Sequence, residues 1–301
     1  MSALEVAYGL PPGAAADISR LAADCTGADG VDPLNEAARL GLATGTGTHL
    51  LARWDGRVVG YATSDGGVAQ LLVAPAYRRQ GIGTALLRTL TGDTPGLDLW
   101  AFGGLEPAAG FAQKYGYAPV RELRQMAATV PAWQATLAGR PIESFPAYTP
   151  AALDALLTCN ARAFATHPEQ GAMTAADVQQ RLASPGFDPA GLLLAWDGGH
   201  LAGFHWTKWE PPVGEVYVLG VDPAAAGRGL GRRLLDAGLA YLAAQGATTV
   251  RLWVEADNFP ATTLYATSGF SVVGRDLRYR ELGRIAPGGQ PADQRRSEED
   301  Q

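Results

Sequence analysis

Short apolar runs separated by polar bends fill the first half of the chain and return, in the same order, in the second. Runs at 50–53, 58–63 and 68–73 predict strands, and Leu86, Leu87 and Leu90 then mark one face of a helix. Further strands are predicted at 97–102 and 117–130. The second half predicts helices within 150–185, strands at 192–196, 201–208 and 215–221, and a helix over about 232–245. A strand at 248–254, a short helix through Tyr265 and strands from Phe270 onward complete it. Ahead of the first strands lie a mixed Pro/Gly/Ala segment and a predicted helix over about 33–42. Residues 131–147 carry three prolines without clear periodicity, which reads as a linker. The stretch 286–301 is polar without an apolar pattern and is expected to be disordered. The expected division is a domain over 1–135, a linker over 136–147, a second domain over 148–285 and the tail.

The two halves match residue for residue around one loop. Val73 aligns with Val221, Pro75 with Pro223, Gly81 with Gly229 and Gly83 with Gly231. Upstream, Trp54-Asp55-Gly56 returns as Trp196-Asp197-Gly198, a hairpin turn between strands. Downstream, the helix end and strand start around Gly116-Tyr117 return as Gly269-Phe270. A period of half the chain is too long for a solenoid, so two homologous domains in tandem are expected.

Each matched loop is basic, glycine-rich and placed between a strand and a helix. Such a helix N-terminus offers free N–H groups and the positive end of the dipole to phosphates. A plain glycine turn is the bland alternative, and the duplication weighs against it. A Walker loop would need Gly-Lys-Ser/Thr, which neither copy has. A dinucleotide fingerprint would need a third glycine where Leu86 and Leu234 stand. Tyr77-Arg78-Arg79-Gln80-Gly81-Ile82-Gly83 and Ala226-Gly227-Arg228-Gly229-Leu230-Gly231 instead resemble the loop of the GNAT acetyltransferases, which cradles the pyrophosphate of coenzyme A. That resemblance implies an α/β fold of two tandem GNAT (acyl-CoA N-acyltransferase) domains. Each would have a mixed, partly parallel central sheet flanked by helices, with two central strands splayed for the pantetheine arm.

Composition narrows the partners. At 47% hydrophobic and 18% charged residues the chain is globular, and 301 residues suffice for two domains. A net charge of −6 argues against nucleic acid, and the local arginines suit a small polyanion better than a long one. The two cysteines, Cys25 and Cys159, and the four scattered histidines give no metal spacing. The N-terminal residues lack a signal-peptide pattern and no apolar stretch approaches a bilayer span, so a cytoplasmic protein with no membrane partner, acting as a monomer, is expected.

Acetyl transfer to an amine needs a base for the ammonium proton and an acid for the departing thiolate. Glu215, at the start of the strand that leads into the second loop, and Tyr265 on a later helix stand where GNAT enzymes commonly keep these groups. Their counterparts in the first half are Gly67 and Ala112, so only the second half is expected to be catalytic. A solvated strand-edge carboxylate and a packing tyrosine are the bland alternatives. The histidines and tryptophans read mainly as packing residues, with a pocket wall open for His205, Trp206 and Lys208.

The run from Gly214 to Gly231, with Val254-Glu255-Ala256-Asp257-Asn258 beyond it, is similar to the mycothiol synthase family of tandem GNAT enzymes. That family acetylates the cysteinyl amine of a cysteine–glucosamine–inositol conjugate (cysteinyl-glucosaminyl-inositol). The resemblance implies that Glu36, Glu169, Lys208, Glu215 and Trp253 contact this substrate; Trp253 stands where the family has a tyrosine. It implies acetyl-CoA contacts at Leu219, Gly220 and Val221, at Ala226, Gly227, Arg228, Gly229, Leu230, Gly231 and Arg232, and at Asn258, Phe259, Pro260, Ala261, Thr262 and Thr263. A second acetyl-CoA would lie on Leu71, Leu72 and Val73 with Arg79, Gln80, Gly81, Ile82, Gly83 and Thr84. Charge alone leaves the acceptor open among small amines, aminoglycosides, polyamines and peptide N-termini, and a silent acyl-CoA sensor stays open as a different class.

Overall fold

A computed structural model describes residues 4–94 and 96–282; the tail at 286–301 lies outside the described residues. The described chain forms two compact units, one of residues up to Arg121 plus those from Asp276, the other Glu122–Arg275.

In the first unit, β1 (Leu4–Tyr8), α1 (Ala14–Asp29) and α2 (Glu36–Thr44) precede a meander of β2 (Thr48–Trp54), β3 (Arg57–Asp65) and β4 (Val68–Val73). Helix α3 (Ile82–Asp93), β5 (Asp98–Ala101), α4 (Glu106–Lys114) and the start of β6 (Tyr117–Thr129) follow. Strands β1 to β4 pair antiparallel in sequence order, and β4 meets β5 in parallel. Beyond β5 the sheet is closed antiparallel by residues 277–279 of the chain's last strand, Leu277 opposite Ala101. Leu86, Leu87 and Leu90 of α3 seal one face of this sheet, and Ile18, Leu21 and Cys25 of α1 the other.

The second unit repeats the plan. Helices α5 (Val130–Leu137), α6 (Leu153–Ala163), α7 (Pro168–Gly171) and α8 (Ala175–Leu182) lead into β7 (Leu192–Asp197), β8 (His200–Glu210) and β9 (Val213–Val221). Then come α9 (Leu230–Ala244), β10 (Thr249–Glu255), α10 (Phe259–Thr267) and β11 (Ser271–Glu281). Strands β7 to β9 pair antiparallel, β9 meets β10 in parallel, and β10 is covered antiparallel by residues 123–129 of β6. A single bridge from Ala147 to Leu193 stands where β1 stands in the first unit.

Three elements differ from the sequence expectation. The Pro/Gly/Ala segment contains β1 and the sixteen-residue α1, whose small buried residues gave a weak apolar stripe. Part of the expected linker is α5, because Pro131 sits in the first helical turn, where no N–H is needed, and Thr129 caps it by accepting from Ala132 N–H. The two compact units meet in the chain at 121/122 and 275/276, so β6 contributes residues 123–129 to the second unit's sheet and the last strand contributes residues 277–279 to the first.

Between α9 and β8 the packing leaves no slack. His205 is fully buried with Nδ1 2.9 Å from Leu234 O, and burial pulls its pKa down to about 4, so the ring is neutral at pH 7. Its room comes from Gly238, where a Cβ would run into the imidazole. Gly238→Ala is expected to cost about 1–3 kcal/mol of stability, the range for overpacking a filled core. Unchanged thermal unfolding of that variant would contradict this packing.

Candidate active site

Strands β9 and β10 pair only at Val213–Thr249, Gly214–Val250 and Glu215–Arg251. From Val216 onward β9 has no strand partner on that side, so its backbone groups there face a gap. Opposite β8, Trp206 pairs with Val218 and Thr207 with Val216, which leaves Tyr217 as an extra residue in a bulge. The bulge reverses the side-chain alternation. A Cβ on Gly214 would press on Leu242 of α9, whereas one on Gly220 would press on Phe204 and Phe164 on the opposite face. This gap and kink offer backbone N–H groups to an acyl carbonyl.

In the first unit β4 and β5 likewise pair only at Val68–Asp98 and Ala69–Leu99. A cavity of about 1000 Å³ follows, lined by Leu71, Leu72, Val73, Arg79, Gly81, Ile82, Gly83 and Thr84 among others. Gln80 turns away, its amide 3.4 Å from Ala76 O.

The two loops share one backbone shape. Gly227 and Gly229 have φ of 77° and 74°, and Arg79 and Gly81 have 63° and 85°. Arg79 therefore holds a left-handed conformation that glycine holds in the other copy, a strain that recurs at functional loops. Gly81 and Gly229 cap α3 and α9 without side-chain hydrogen bonds, leaving the first-turn N–H groups of Ile82, Gly83, Leu230 and Gly231 open to an anion. The neighbouring arginines divide. Arg78 is clamped on Asp29 at 2.7 and 2.6 Å and on Val73 O. Arg232 is held by Asp236 and Thr136, and Arg233 by Glu143 at 2.8 Å. These three guanidiniums tie the scaffold together. Arg79 and Arg228 remain at the loops, Arg228 in a loose exposed pair with Asp197 at 3.7 Å.

Glu215 lies largely buried at the last rung before β9 and β10 part. Burial raises its pKa, opposed by Arg251, with Nε 3.3 Å away, and by Lys208, while Glu210 adds to the rise. Lys208 is the cross-strand neighbour of Glu215 and pairs with Glu210 at 2.9 Å. A carboxylate so placed is more basic than an exposed one, which suits it to take a proton. Tyr265 is buried in the cluster with Leu235, Val254 and Phe270. Burial pushes its phenol well above the usual value, so it stays protonated and can donate.

The remaining expected residues spread unevenly. Trp253 is partly exposed on β10, with the Arg251 guanidinium 5.2 Å from its ring centre. Asn258 caps α10, accepting from Ala261 N–H at 3.1 Å; Pro260 lies in the first turn, Thr262 bonds to Phe259 O, and Phe259 is exposed. Leu219 and Val221 pack toward α9. Glu36 stands exposed in the first turn of α2, in the first unit. The Glu169 side chain lies outside the described residues. Its neighbour His167 stands 3.5 Å from Glu255. Sequence reasoning missed Arg251 and Glu210; the polar alternation Arg251, Trp253, Glu255 along β10 was the available signal.

The description of the GNAT acetyltransferase family matches residues 156–270, and that of a GNAT acetyltransferase domain matches 45–119. A mycothiol acetyltransferase of Geodermatophilus obscurus is 47% identical over 295 residues, covering 90% of this chain and 94% of its own. The chain belongs to the mycothiol acetyltransferase family. A second member, from Clavibacter michiganensis, is 47% identical over 264 residues, 84% of this chain and 86% of its own. Mycothiol acetyltransferase sequences thus match across both units. The tandem fold is also seen in solved structures. A tandem GNAT protein from the clavulanic acid biosynthesis pathway superposes with a TM-score of 0.68 at 20% identity, over 92% of this chain and 98% of that one. A GCN5-related N-acetyltransferase from Sphaerobacter thermophilus gives 0.66 at 23%, over 92% and 95%. Among the described residues of this mycothiol acetyltransferase family member, no group of three or more His, Cys, Asp or Glu is arranged to hold a metal, and no helix is long and apolar enough to cross a membrane.

Proposed function

We propose that this chain transfers the acetyl group of acetyl-CoA to the cysteinyl amine of a cysteine–glucosamine–inositol conjugate, the last step of mycothiol biosynthesis. The observation that carries the reading is Glu215, buried where β9 and β10 part, in a family whose members are named for this reaction. Glu215 takes a proton from the conjugate's ammonium, directly or through water, and the free amine attacks the thioester carbon. The carbonyl oxygen gains negative charge facing the open N–H groups of β9. As the C–S bond breaks, Tyr265 gives its proton to the CoA thiolate; the second proton leaves the nitrogen to solvent as the amide forms, and solvent reprotonates Tyr265. Glu169, Lys208 and Trp253 hydrogen-bond or stack on the sugar and inositol. The first unit binds a second acetyl-CoA in its cavity without turning it over, because Gly67 and Ala112 replace the proton-transfer groups. The same reading takes the enzyme to act as a cytoplasmic monomer without metal or nucleic acid.

The test is incubation with acetyl-CoA and, separately, the conjugate, an aminoglycoside, a polyamine and a peptide. Free CoA and product mass are scored. Release of CoA with acetylation of the conjugate amine is expected. Acetylation of the aminoglycoside or peptide but not the conjugate would overturn the acceptor and leave the acetyltransferase reading standing.

A further inference from the structure

The charged group that the sequence did not single out lies on the strand facing Glu215. We infer that Arg251 is a positioning residue for the transfer, holding the Glu215 carboxylate and the Trp253 ring in one arrangement at the point where β9 and β10 separate. The inference rests on the reading of Glu215 as the proton acceptor.

Three contacts carry it. Arg251 pairs with Glu215 in the last rung of the parallel ladder, and its Nε reaches the carboxylate at 3.3 Å. A terminal nitrogen of the same guanidinium stands 3.6 Å from Glu210. The guanidinium carbon lies 5.2 Å from the centre of the Trp253 ring, a cation–π distance. One planar group thus touches the acceptor of the proton and the aromatic surface beside it. A lysine could supply the charge but not the flat face and fork together.

The other copy supports the assignment. Where the second unit has Glu215 and Arg251, the first has Gly67 and, as the N–H donor to Gly67 O, Asp98. There the carboxylate is gone and the arginine with it. Asp98 is taken up by Arg278 and Arg280 instead.

The groups facing Glu215 are Lys208 and Glu210 from β8 and Arg251 from β10. Lys208 pairs with Glu210 at 2.9 Å, lies 5.6 Å from the Phe187 ring centre and lowers the Glu215 pKa through its charge. Arg251 also reaches the Glu215 carboxylate by hydrogen bond, Nε standing 3.3 Å away. Burial alone would favour the protonated acid, and Arg251 opposes it first, with Lys208 beside it. Loss of the arginine raises the carboxyl pKa, so the acid limb of activity moves to higher pH.

The experiment compares Arg251→Gln and Arg251→Lys with wild type in the conjugate assay across pH, and the Trp253 emission is read in each as the difference from the same protein carrying Trp253→Phe, since the chain has seven tryptophans. Arg251→Gln is expected to shift the acid limb of kcat/KM up by about one pH unit, the lower end for loss of an adjacent opposite charge. KM for acetyl-CoA should stay unchanged and the Trp253 emission should change. Arg251→Lys, the better-tolerated variant, should restore the limb but not the emission. An unmoved limb in folded variants, alongside an inactive Glu215→Gln enzyme, overturns the inference alone. An unmoved limb with a fully active Glu215→Gln enzyme overturns the reading of Glu215 beneath it.

Discussion

Replacing Glu215 by Gln is expected to lower kcat about 10²–10⁴-fold, the usual cost of losing a general base, and to leave acetyl-CoA binding intact. The substitution keeps size and hydrogen-bonding capacity, and Arg251 retains Glu210 as a partner at 3.6 Å, so the sheet should hold. The wild-type profile adds a second signature. Because burial sets the Glu215 pKa above the ordinary carboxylate value, kcat/KM should begin to fall on the acid side above about pH 4.3, as protonation removes the acceptor. The variant should lose that limb along with the rate. Near wild-type steady-state kinetics would remove Glu215 from the chemistry.

Asp98→Ala is expected to cost the first unit about 3 kcal/mol at neutral pH, since it leaves Arg278 half-buried without its counter-ion. In the native chain Asp98 accepts from Arg278 at 2.7 Å and from Arg280 at 2.9 and 2.8 Å while almost fully buried. Arg280 is mostly exposed and contributes the smaller share. These donors, Arg280 first, hold the Asp98 pKa below its usual value. The stabilisation is therefore complete above the unfolded pKa of about 3.9 and is lost as pH falls through the lower folded value. Urea unfolding of wild type and variant at pH 7 and in acid should converge as the pH drops. Equal midpoints at pH 7 would mean the Arg–Asp–Arg cluster holds nothing.

Strands and glycine loops were legible because their signals are local. Short apolar runs bounded by turns announce β2 to β4 and β7 to β10, and a duplicated loop announces two helix N-termini. Helix α1 escaped because its buried face is partly alanine, and α5 because Pro131 reads as a breaker until its first-turn position is known. Glu215 and Tyr265 stood out by contrast with Gly67 and Ala112, a comparison the repeat itself supplies. Arg251 had no such contrast. Its partner is 36 positions away, and only the parallel ladder brings the two together. The path of β6 and β11 was hidden for a related reason: a long strand gives no sign of which sheet its far end will join. Two free-looking arginines of the loops were also undecidable from sequence, since Arg78 and Arg233 are claimed by Asp29 and Glu143 far along the chain.

The crossed ends of β6 and β11 decide what a split gene would yield. A fragment stopping near residue 121 would lack the strand that covers β5, and one starting near residue 148 would expose β10 along its whole length. Bare edges of that kind recruit other chains, so each fragment alone should aggregate rather than serve as a miniature enzyme. A first fragment running through Leu137 carries the piece that the second one needs, and the second carries Asp276–Glu281 for the first. Co-expressed, the two could complement each other, as neither could by itself.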